Sequence, residues 1–511
     1  MCGFFASNHP SIDDGKLAMI NRRVGFRGPD FQSGLVNHAG WRLYHARLSI
    51  IAPDERFSQP YRTRSGGMLL FNGEILNFRE LAERYGIDSQ GSDTHLLSIL
   101  LERPEFDLNE LDGFFALVLV DRDGRLKRCA RDRFGVKPLF VHREAEFVSI
   151  SSEPSALSDC FDLPHNEKAL EEYLVFRAPV FEQSYFVGVE TVPPGSCFVN
   201  GRYFETLDYA NLPHRPLEEI LPALRTVICS AIESRLVADV PVGLLYSGGI
   251  DSNLIKSLAE RQFQCFTAGL DGDHDVEFAR RSDPDVHVAQ VSSGEFKGRL
   301  KEMIELRKEP LSVPNEIFLS FLAEEWAHRG GKVLLSGEAA DEFFAGYDRI
   351  FKWAHEARDL DVEGFLERYA YVPLAEIPKW MIANTSDFFA SLGGLDPFGK
   401  VRQWFLKIHL PILFRRLDFA LMYAGVEGRE PLARFEVFGL AMQIDPAVFF
   451  ARGLGKYPLR LIAAAELGEE FAFSSKVGFP IDLKQIYYGE SATDRMDNYR
   501  VWYAANLKEL G

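Results

Sequence analysis

The stretch DVPVGLLYSGGIDSNLI (residues 239–255) decides the fold of the second half of the chain. A short apolar run ends at Ser247, Gly248 and Gly249, and a helical pattern begins around Asp251. This order predicts a buried strand, a glycine turn and a helix. Glycines let backbone N–H groups approach a phosphate closely, and a helix N-terminus adds partial positive charge. We interpret the turn as a phosphate-binding loop, with an ordinary strand-to-helix turn as the alternative.

A second loop of the same kind occurs in KVLLSGEAADEFFAGY (332–347), where Ser336 and Gly337 again follow an apolar run. Ligands of open α/β sheets bind at the carboxyl ends of the strands, so the two loops are expected to meet. Asp251 and Asp341 could then share one Mg²⁺. The alternative for these acids is the solvated start of a helix.

Composition limits the classes of function. The 511 residues are 46% hydrophobic and 26% charged, which is typical of a globular protein of about two to four domains. The net charge of −17 argues against a nucleic-acid partner, because lysine and arginine carry such binding. No apolar run approaches the roughly 20 residues of a membrane span, and no signal-peptide pattern opens the chain. We expect no membrane partner.

The six cysteines are scattered, without CxxC or zinc-ligand spacing. A chain of this length with so few cysteines is typical of a reducing compartment, so a cytoplasmic location is expected. The cysteines are Cys2, Cys129, Cys160, Cys197, Cys229 and Cys265.

The two halves of the chain have different patterns. Residues 1 to about 200 show short strands, including a hairpin at LVLVDRDGRLKRCA (117–130), with helical stretches between them. This mixture predicts a layered α+β domain. Beyond the proline-rich segment 211–219, apolar runs alternate with helical patterns, which predicts a parallel α/β sheet, and a helical extension starts near residue 350. We divide the chain into domains 1–210 and 211–511.

The N-terminus MCGFFA places Cys2 directly after the initiator methionine. Removal of that methionine would leave Cys2 with a thiol and a free α-amine, which titrates near pH 8 and can accept the thiol proton. Cys2 is therefore a candidate nucleophile with its own base. A buried or frayed cysteine is the alternative for these six residues alone.

Several motifs resemble one family. SGGIDS resembles the SGGxDS pyrophosphate loop of ATP pyrophosphatases, and SGEAADEFFAGY resembles the SGEGADE–GGY segment of asparagine synthetases. Those enzymes also begin with MCG, and further matches follow in their order: FRGPD (26–30), RLSI (47–50), NGEI (72–75), SDTH (92–95), DGFFAL (112–117) and ARDRFGVKPLF (130–140). The resemblance covers essentially the whole chain. It implies an αββα N-terminal-nucleophile sandwich followed by an α/β parallel-sheet ATP-pyrophosphatase domain.

For the first domain, the resemblance implies a glutaminase in which Cys2 attacks the side-chain amide of glutamine. Asn72 and the backbone N–H of Gly73 match the family's oxyanion donors. Arg47 would grip the α-carboxylate of glutamine, and Asp93 with Glu74 would receive its α-ammonium. The implied glutamine-binding set is Arg47, Leu48, Ser49, Ile50, Asn72, Gly73, Glu74 and Asp93. We expect four further residues of the matching motifs to stabilise the fold and not to act in catalysis: Arg131, Asp132, Arg133 and Lys137.

For the second domain, the resemblance implies an ATP site and two further catalytic residues. Glu338 would steer the acceptor or the proton of the attacking amine, and Lys476 would neutralise charge on pyrophosphate. Asp251 and Asp341 would hold Mg²⁺. The implied ATP-binding set is Leu245, Ser247, Gly248, Gly249, Asp251, Ser252, Ala268, Ser336 and Gly337.

Together these implications predict an enzyme that adenylates a carboxylate with Mg-ATP and amidates it with ammonia from glutamine, carried through an internal passage. Aspartate is the leading acceptor. A sugar uronate or specialised-metabolite acid is the alternative, because HDVEFARRSDPDVHV (274–288) is shorter than its family counterpart and EGREPLAR (427–434) replaces EARVPFLD. A glutamine or nucleotide sensor without catalysis is the third hypothesis. The sequence leaves open whether the protein forms a homodimer.

Overall fold

The computed structural model describes residues 2–270, 273–474 and 481–511, without the side chains of His274, Asp275 and Arg495. Within these ranges the chain forms two antiparallel sheets followed by one parallel sheet. No helix in the described ranges has both the length and the apolar character needed to cross a bilayer.

The antiparallel sheets are built from the strands between Cys2 and Arg202. These strands are β1 (Cys2–Ser7), β2 (Phe31–Gln32), β3 (Val36–His38), β4 (Trp41–Arg47), β5 (Tyr61–Arg62), β6 (Met68–Ile75), β7 (Gly113–Val120), β8 (Leu126–Arg131), β9 (Phe140–Glu144), β10 (Phe147–Ser151), β11 (Val189–Thr191), β12 (Ser196–Cys197) and β13 (Gly201–Arg202). The first sheet has the order β11-β9-β10-β1-β4-β2, with β3 also paired to β4, and the second has the order β13-β12-β8-β7-β6-β5.

The two sheets pack face to face through a fully apolar layer that includes Phe4, Leu43 and Val118. Five helices accompany them: α1 (Leu17–Val24), α2 (Phe78–Tyr85), α3 (Asp93–Leu100), α4 (Pro154–Phe161) and α5 (Glu167–Phe176). Helices α1 and α4 cover the outer face of the first sheet, and α2 and α3 cover the second. This αββα sandwich is the predicted fold class. Strand β1 lies between β10 and β4, so all six of its residues are buried.

The second half of the chain forms a parallel five-stranded sheet in the order β16-β15-β14-β17-β18. Its strands are β14 (Val242–Leu245), β15 (Cys265–Gly269), β16 (His287–Gln290), β17 (Val333–Leu335) and β18 (Glu427–Arg429). The predicted α/β sheet and helical extension are therefore confirmed. The division after residue 210 stays a prediction; no strand or helix longer than one turn lies between β13 and α6.

The helices of the second half are α6 (Leu217–Arg235), α7 (Ile250–Leu258), α8 (His274–Ser282), α9 (Ser293–Arg307), α10 (Asn315–His328), α11 (Ala340–Phe343), α12 (Asp348–Glu356), α13 (Val362–Tyr369), α14 (Lys379–Ser391), α15 (Pro397–Trp404), α16 (Leu410–Met422), α17 (Phe435–Ala441), α18 (Tyr457–Leu467), α19 (Glu469–Ala472), α20 (Leu483–Tyr488) and α21 (Arg495–Leu510). Helix α16 is continuous with a π-helical turn over Phe405–His409. It packs against α10 and contributes Asp418 to the contact with the first half.

The predicted hairpin and scaffold residues are present. Strands β7 and β8 pair through a turn at Gly124, whose φ of +82° favours glycine. Arg131 donates to three backbone carbonyls, and Asp132 accepts from the backbone N–H groups of Phe134, Val136 and Lys137. These side chains fix a turn rather than face a ligand.

A buried ionic seam joins the two halves. The guanidinium of Arg27 is fully buried and donates to Glu153 at 2.6 Å, contacts Asp418 of α16 at 2.8 Å and donates to the carbonyl of Cys2 at 3.1 Å. Lys137 lies 3.6 Å from the same Asp418. The backbone of Cys2 is thus held by a cation that is also paired to the second half.

We predict that Arg429→Met destabilises the protein by about 3–5 kcal/mol, because it removes the buried cation that is paired with Glu427. Arg429 is fully buried and pairs with Glu427 at 2.5 Å while donating to the carbonyls of Arg235 and Val237. Denaturant unfolding would measure the loss. The double variant Glu427→Gln/Arg429→Met should recover part of it, and a single variant as stable as wild type would contradict the account.

Candidate active sites

The first candidate site surrounds Cys2 at the start of β1. Cys2 pairs in register with Arg47 of β4 and is 6% exposed. Its backbone nitrogen donates to Asn72 Oδ1 at 3.0 Å. The next position must be glycine, because a Cβ added to Gly3 would lie 2.6 Å from Val24. Cys2, the predicted nucleophile, is therefore held by its own backbone nitrogen and by the close packing of the glycine that follows it.

The predicted oxyanion donors lie directly beside the nucleophile. Asn72 is fully buried, its Oδ1 is used by Cys2, and its Nδ2 has no hydrogen-bond partner among the described residues. A buried amide donor without a partner is costly, which fits a group that waits for a transient oxyanion. Gly73 has a φ of +140°, and an added Cβ would lie 2.0 Å from the carbonyl of Phe114. Only glycine fits there.

Electrostatics keep the resting thiol neutral. Burial raises the pKa of Cys2, and the nearby carboxyl of Glu74 adds to the rise, while the backbone N–H of Leu48 lowers it by donating to the sulfur. A base is therefore needed to form the thiolate. The α-nitrogen of Cys2 is the predicted base, and the contact with Asn72 fixes its position.

The predicted glutamine-binding residues gather around the same point. Both terminal nitrogens of Arg47 donate to acceptors of the 51–58 loop, including the carbonyls of Ala52 (2.6 Å) and Asp54 (2.9 Å). Arg47 thus ties this loop to β4; its grip on glutamine stays a prediction. Leu48, Ser49 and Ile50 follow β4, and the backbone N–H of Ser49 donates to Asp30.

Glu74 and Asp93, the predicted ligands of the α-ammonium group of glutamine, are both buried. Asp93 accepts from the backbone N–H groups of Ile75 (3.1 Å) and Thr94 (2.6 Å) and is hydrogen-bonded to Glu74. Burial raises the pKa of Glu74 well above its ordinary value, and the Asp93 charge adds to the rise. Because two adjacent buried carboxyls favour sharing a proton, an entering ammonium would displace that proton.

The second candidate site lies at the carboxyl ends of β14 and β17, which are neighbours in the sheet. The predicted loops meet there: an added Cβ on Gly337 would lie 2.8 Å from the Cβ of Asp251. Gly248 has a φ of +70° and packs against Phe278 of α8. The predicted convergence of the two loops is observed.

Two cavities of about 310 and 790 Å³ open on these loops, and Ser247, Asp251 and Asp341 line both. Gly248 and Gly249 line the smaller cavity. The remaining predicted ATP residues line the larger one: Leu245, Ser252, Ala268, Ser336 and Gly337. The predicted ATP residues thus divide between a smaller, glycine-lined cavity and a larger cavity with both polar and apolar walls.

Lys456 is a central residue that sequence reasoning missed. Its Nζ lies 2.8 Å from Asp251 Oδ2 and 2.7 Å from Asp341 Oδ1. Burial lowers its pKa, but the two carboxylates outweigh burial and raise it, so Lys456 stays charged. The backbone at Lys456 is left-handed with φ +62°, a strained conformation often found at functional sites. The sequence did contain a signal for this residue: in GLGKYPLR (453–460) the lysine follows two closely spaced glycines.

The larger cavity contains a cation beside the predicted Glu338. Arg416 Nη2 of α16 lies 3.7 Å from Glu338 Oε1, and both residues line the cavity. Burial raises the pKa of Glu338, with Arg416 opposing. Arg416 was not predicted.

A hydrogen-bonded cluster supports the wall next to Glu338. The Tyr347 hydroxyl donates to Glu342 at 2.6 Å and lies 3.1 Å from Nε2 of His409, whose Nδ1 is 3.0 Å from the Tyr369 hydroxyl. Both ring nitrogens of His409 are thus occupied. The π-helical turn that ends at His409 positions this ring.

One segment that the sequence linked to the acceptor lies away from the larger cavity, and one predicted catalytic residue lies outside the described residues. None of residues 427–434 lines the larger cavity within the described chain. Instead Arg434 contacts Asp112 of the first half at 3.2 Å, so the altered segment lies at the seam between the halves rather than in the acceptor wall. The predicted Lys476 lies outside the described residues.

Sequence comparison identifies the class to which these two sites belong. Residues 1–209 match the glutamine amidotransferase domain family, and residues 223–501 match the asparagine synthase family. The chain is therefore an amidotransferase joined to a ligase, a glutamine-dependent enzyme of the asparagine synthetase kind. It belongs to the asparagine synthase family.

Individual relatives agree with this family. Asparagine synthetase [glutamine-hydrolyzing] 1 of Bacillus subtilis (strain 168) is 26% identical over 95% of this chain and 87% of that protein. A putative asparagine synthetase of Mycobacterium tuberculosis (strain ATCC 25618 / H37Rv) is 28% identical over 82% of this chain and 75% of its own length. Asparagine synthetase of Asparagus officinalis is 27% identical over 68% of this chain and 60% of its own length.

We predict that Asn72→Ala lowers kcat for glutamate release from glutamine by about 10²–10³, the usual cost of one oxyanion donor. Asn72→Asp is the matched variant, because it keeps the acceptor for the Cys2 nitrogen but removes the Nδ2 donor. Glutaminase assays on both would separate the two contacts. Wild-type kcat in Asn72→Asp would exclude Nδ2 as an oxyanion donor.

We also predict that alkylation of Cys2 by iodoacetamide accelerates throughout the range from about pH 7 to pH 9. The raised pKa leaves little thiolate at neutral pH, so the rate should rise with pH instead of levelling. Peptide mass spectrometry would follow Cys2, with half-buried Cys229 as an internal reference. A plateau already reached near pH 7 would show a preformed thiolate.

Proposed function

We propose that this enzyme makes asparagine from aspartate, using ATP and ammonia released from glutamine at Cys2. The observation that carries the choice of acceptor is the pair Glu338 and Arg416 in the larger cavity. An amino-acid acceptor presents an α-ammonium and an α-carboxylate, which a carboxylate and a guanidinium can bind together. A simple acid without an amine would bring no cationic group of its own to Glu338.

In the first half-reaction, the thiol of Cys2 loses its proton to its own α-amine and attacks the amide carbon of glutamine. The resulting oxyanion accepts hydrogen bonds from Asn72 Nδ2 and the backbone N–H of Gly73. Collapse to the thioester expels ammonia with the proton from the α-amine. Water then hydrolyses the thioester and releases glutamate.

In the second half-reaction, ATP binds with its base against Leu245 and Ala268 and its phosphates against Ser247–Gly249. The acceptor carboxylate attacks the α-phosphorus and forms an acyl-adenylate, and pyrophosphate leaves toward Lys456. Ammonia attacks the acyl carbon, Glu338 accepts its surplus proton, and AMP departs. The products are an amide, AMP and pyrophosphate.

Asp251 and Asp341 have the donor chemistry for Mg²⁺. Both offer carboxylate oxygens that converge within 2.8 Å of one point, the Nζ of Lys456, and Mg²⁺ sites commonly use one or two carboxylates plus phosphate oxygens. When bound there, the ion would neutralise phosphate charge. Lys456 would then turn from the carboxylates to the phosphates.

Mass spectrometry tests the acceptor directly. The protein incubated with glutamine, Mg-ATP and aspartate should form asparagine and AMP in equal amounts. Glutamate release without asparagine would contradict aspartate as the acceptor and direct the search to other carboxylates.

We predict that Cys2→Ala abolishes glutamine-dependent AMP formation and leaves ammonia-dependent AMP formation intact, because the second site does not use the thiol. Assays with glutamine and with ammonium chloride, each with aspartate and Mg-ATP, would measure this. Loss of both activities in a folded variant would contradict two separate sites.

We predict that Lys456→Met lowers pyrophosphate formation by at least about 10², because two facing carboxylates lose their cation and the leaving group loses a counter-charge. Glutamine hydrolysis should be unaffected. Lys456→Arg is the matched control, since it keeps the charge and should retain more activity. Equal pyrophosphate formation by Lys456→Met and wild type would remove Lys456 from the site.

A further inference from the structure

Ala52 has an unusual backbone conformation in the loop that holds Arg47. Its φ is +48°, in the left-handed region that alanine rarely adopts. Such a conformation persists only where the surrounding structure fixes it, and it is found most often at functional sites. The carbonyl of Ala52 accepts from Nη2 of Arg47 at 2.6 Å. The conformation of Ala52 therefore decides where one ligand of the Arg47 guanidinium lies.

The group that fixes Ala52 comes from the second half of the chain. The backbone N–H of Ala52 donates to Asp239 Oδ2 at 2.8 Å, and the backbone N–H of Asp239 donates to the carbonyl of Ile50 at 2.9 Å. Asp239 thus closes a hydrogen-bonded ring with residues 50–52. It holds the N–H of Ala52 while Arg47 holds the carbonyl of the same residue. The bond to a carboxylate is charge-assisted and is stronger than one between neutral groups.

The other end of the same segment is anchored separately. The backbone N–H of Ser49 donates to Asp30 Oδ2 at 2.6 Å, and Nζ of Lys332 lies 2.7 Å from the same oxygen. These contacts do not involve Asp239. Loss of the Asp239 carboxylate should therefore leave Ser49 in place and change the loop from Ala52 onward.

Asp239 and Lys332 occupy corresponding positions in the parallel sheet. Asp239 lies three residues before β14 and Lys332 lies immediately before β17, and these two strands are neighbours. The carboxyl ends of the same strands lead into the two glycine loops of the second candidate site. The sheet thus presents its amino-terminal edge to the predicted glutamine-binding segment and its carboxyl-terminal edge to the second site.

The position of the Arg47 guanidinium depends on the loop that Asp239 holds. Nη1 donates to the carbonyl of Asp54 at 2.9 Å and to Ser58 Oγ at 3.3 Å, and Nη2 donates to the carbonyl of Ala52. Arg47 is 5% exposed and pairs in register with Cys2 between β4 and β1. A displacement of the Ala52 carbonyl would therefore move the guanidinium at the level of Cys2.

We propose that Asp239 is a positioning residue for glutamine. It fixes the left-handed turn at Ala52, and through the carbonyl of Ala52 it sets the guanidinium of Arg47 for the α-carboxylate of glutamine. This role rests on the proposed glutaminase reaction at Cys2. The α-carboxylate takes no part in the bond changes at the amide carbon, so Asp239 supports the ground state and the transition state equally. Its loss should raise KM and leave kcat unchanged.

Steady-state kinetics of glutamate release, without ATP or aspartate, tests this role. Asp239→Ala should raise KM for glutamine by about five- to tenfold, the usual effect of one charge-assisted hydrogen bond, with kcat changed less than about twofold. Asp239→Asn keeps an acceptor oxygen and should stay within about twofold of the wild-type KM. Asp359→Asn is the control, since Asp359 is an exposed carboxyl elsewhere in the second half. A wild-type KM in Asp239→Ala, or a fall in kcat at constant KM, would overturn the proposal.

A double variant tests the route through Arg47. Arg47→Lys removes the fork that contacts the Ala52 carbonyl, so adding Asp239→Ala to it should raise KM by less than about twofold further. Effects that pass through one contact do not add, whereas independent effects do. A full five- to tenfold further rise would exclude action through Arg47.

Calorimetric titration measures the same contact without turnover. The Kd of glutamine should be about five- to tenfold higher for Cys2→Ala/Asp239→Ala than for Cys2→Ala, and equal values would overturn the role of Asp239. Thermal unfolding followed by circular dichroism checks that both proteins are folded. A wild type that shows these effects on glutamate release but forms no asparagine would contradict aspartate as the acceptor and leave the role of Asp239 standing. A wild type that releases no glutamate would overturn the glutaminase reaction and this role together.

Discussion

The buried guanidinium of Arg27 is the interaction on which the rest of the structure depends. It holds the carbonyl of Cys2 in the first half and Asp418 of α16 in the second, with Glu153 as a further partner. Breaking one partner of such a pair costs about 3–5 kcal/mol, because the other charge remains buried. Helix α16 also carries Arg416 toward Glu338. One helix therefore connects the backbone of Cys2 to the wall of the larger cavity.

In each site, a polar side chain lies beside a glycine. At that glycine the neighbouring chain packs so closely that a larger residue would clash. Gly73 lets β6 and β7 approach at the proposed oxyanion position, and Gly337 lets the β17 loop reach Asp251. The sheets supply the rigidity: β1 is a central strand of one, and β14 and β17 are central strands of another. Catalytic groups held this way need little reorganisation during the reaction.

Much of this arrangement is predictable from the sequence. The parallel sheet and the meeting of the two glycine loops follow from short motifs, because each motif is a local strand-and-turn unit. The sandwich fold and the position of Asn72 beside Cys2 follow only from the family resemblance, because residues 2 and 72 are far apart in the chain. Lys456 and Arg416 were not predicted, since each reaches the site from a part of the chain far from the two glycine loops. The glycines before Lys456 were a signal, but they do not show that the lysine meets Asp251 and Asp341. The sequence also does not show where the segment 427–434 lies relative to the larger cavity, because a pattern of substitutions does not reveal what a segment contacts.

The central claim is that ammonia passes from Cys2 to Glu338 inside the protein. The most direct measurement supplies glutamine labelled with ¹⁵N in its side-chain amide, together with aspartate, Mg-ATP and an excess of unlabelled ammonium chloride, and reads the isotope in the asparagine formed. The account predicts that asparagine carries predominantly the ¹⁵N label. Asparagine whose label is diluted to the isotopic composition of the solution would contradict internal transfer.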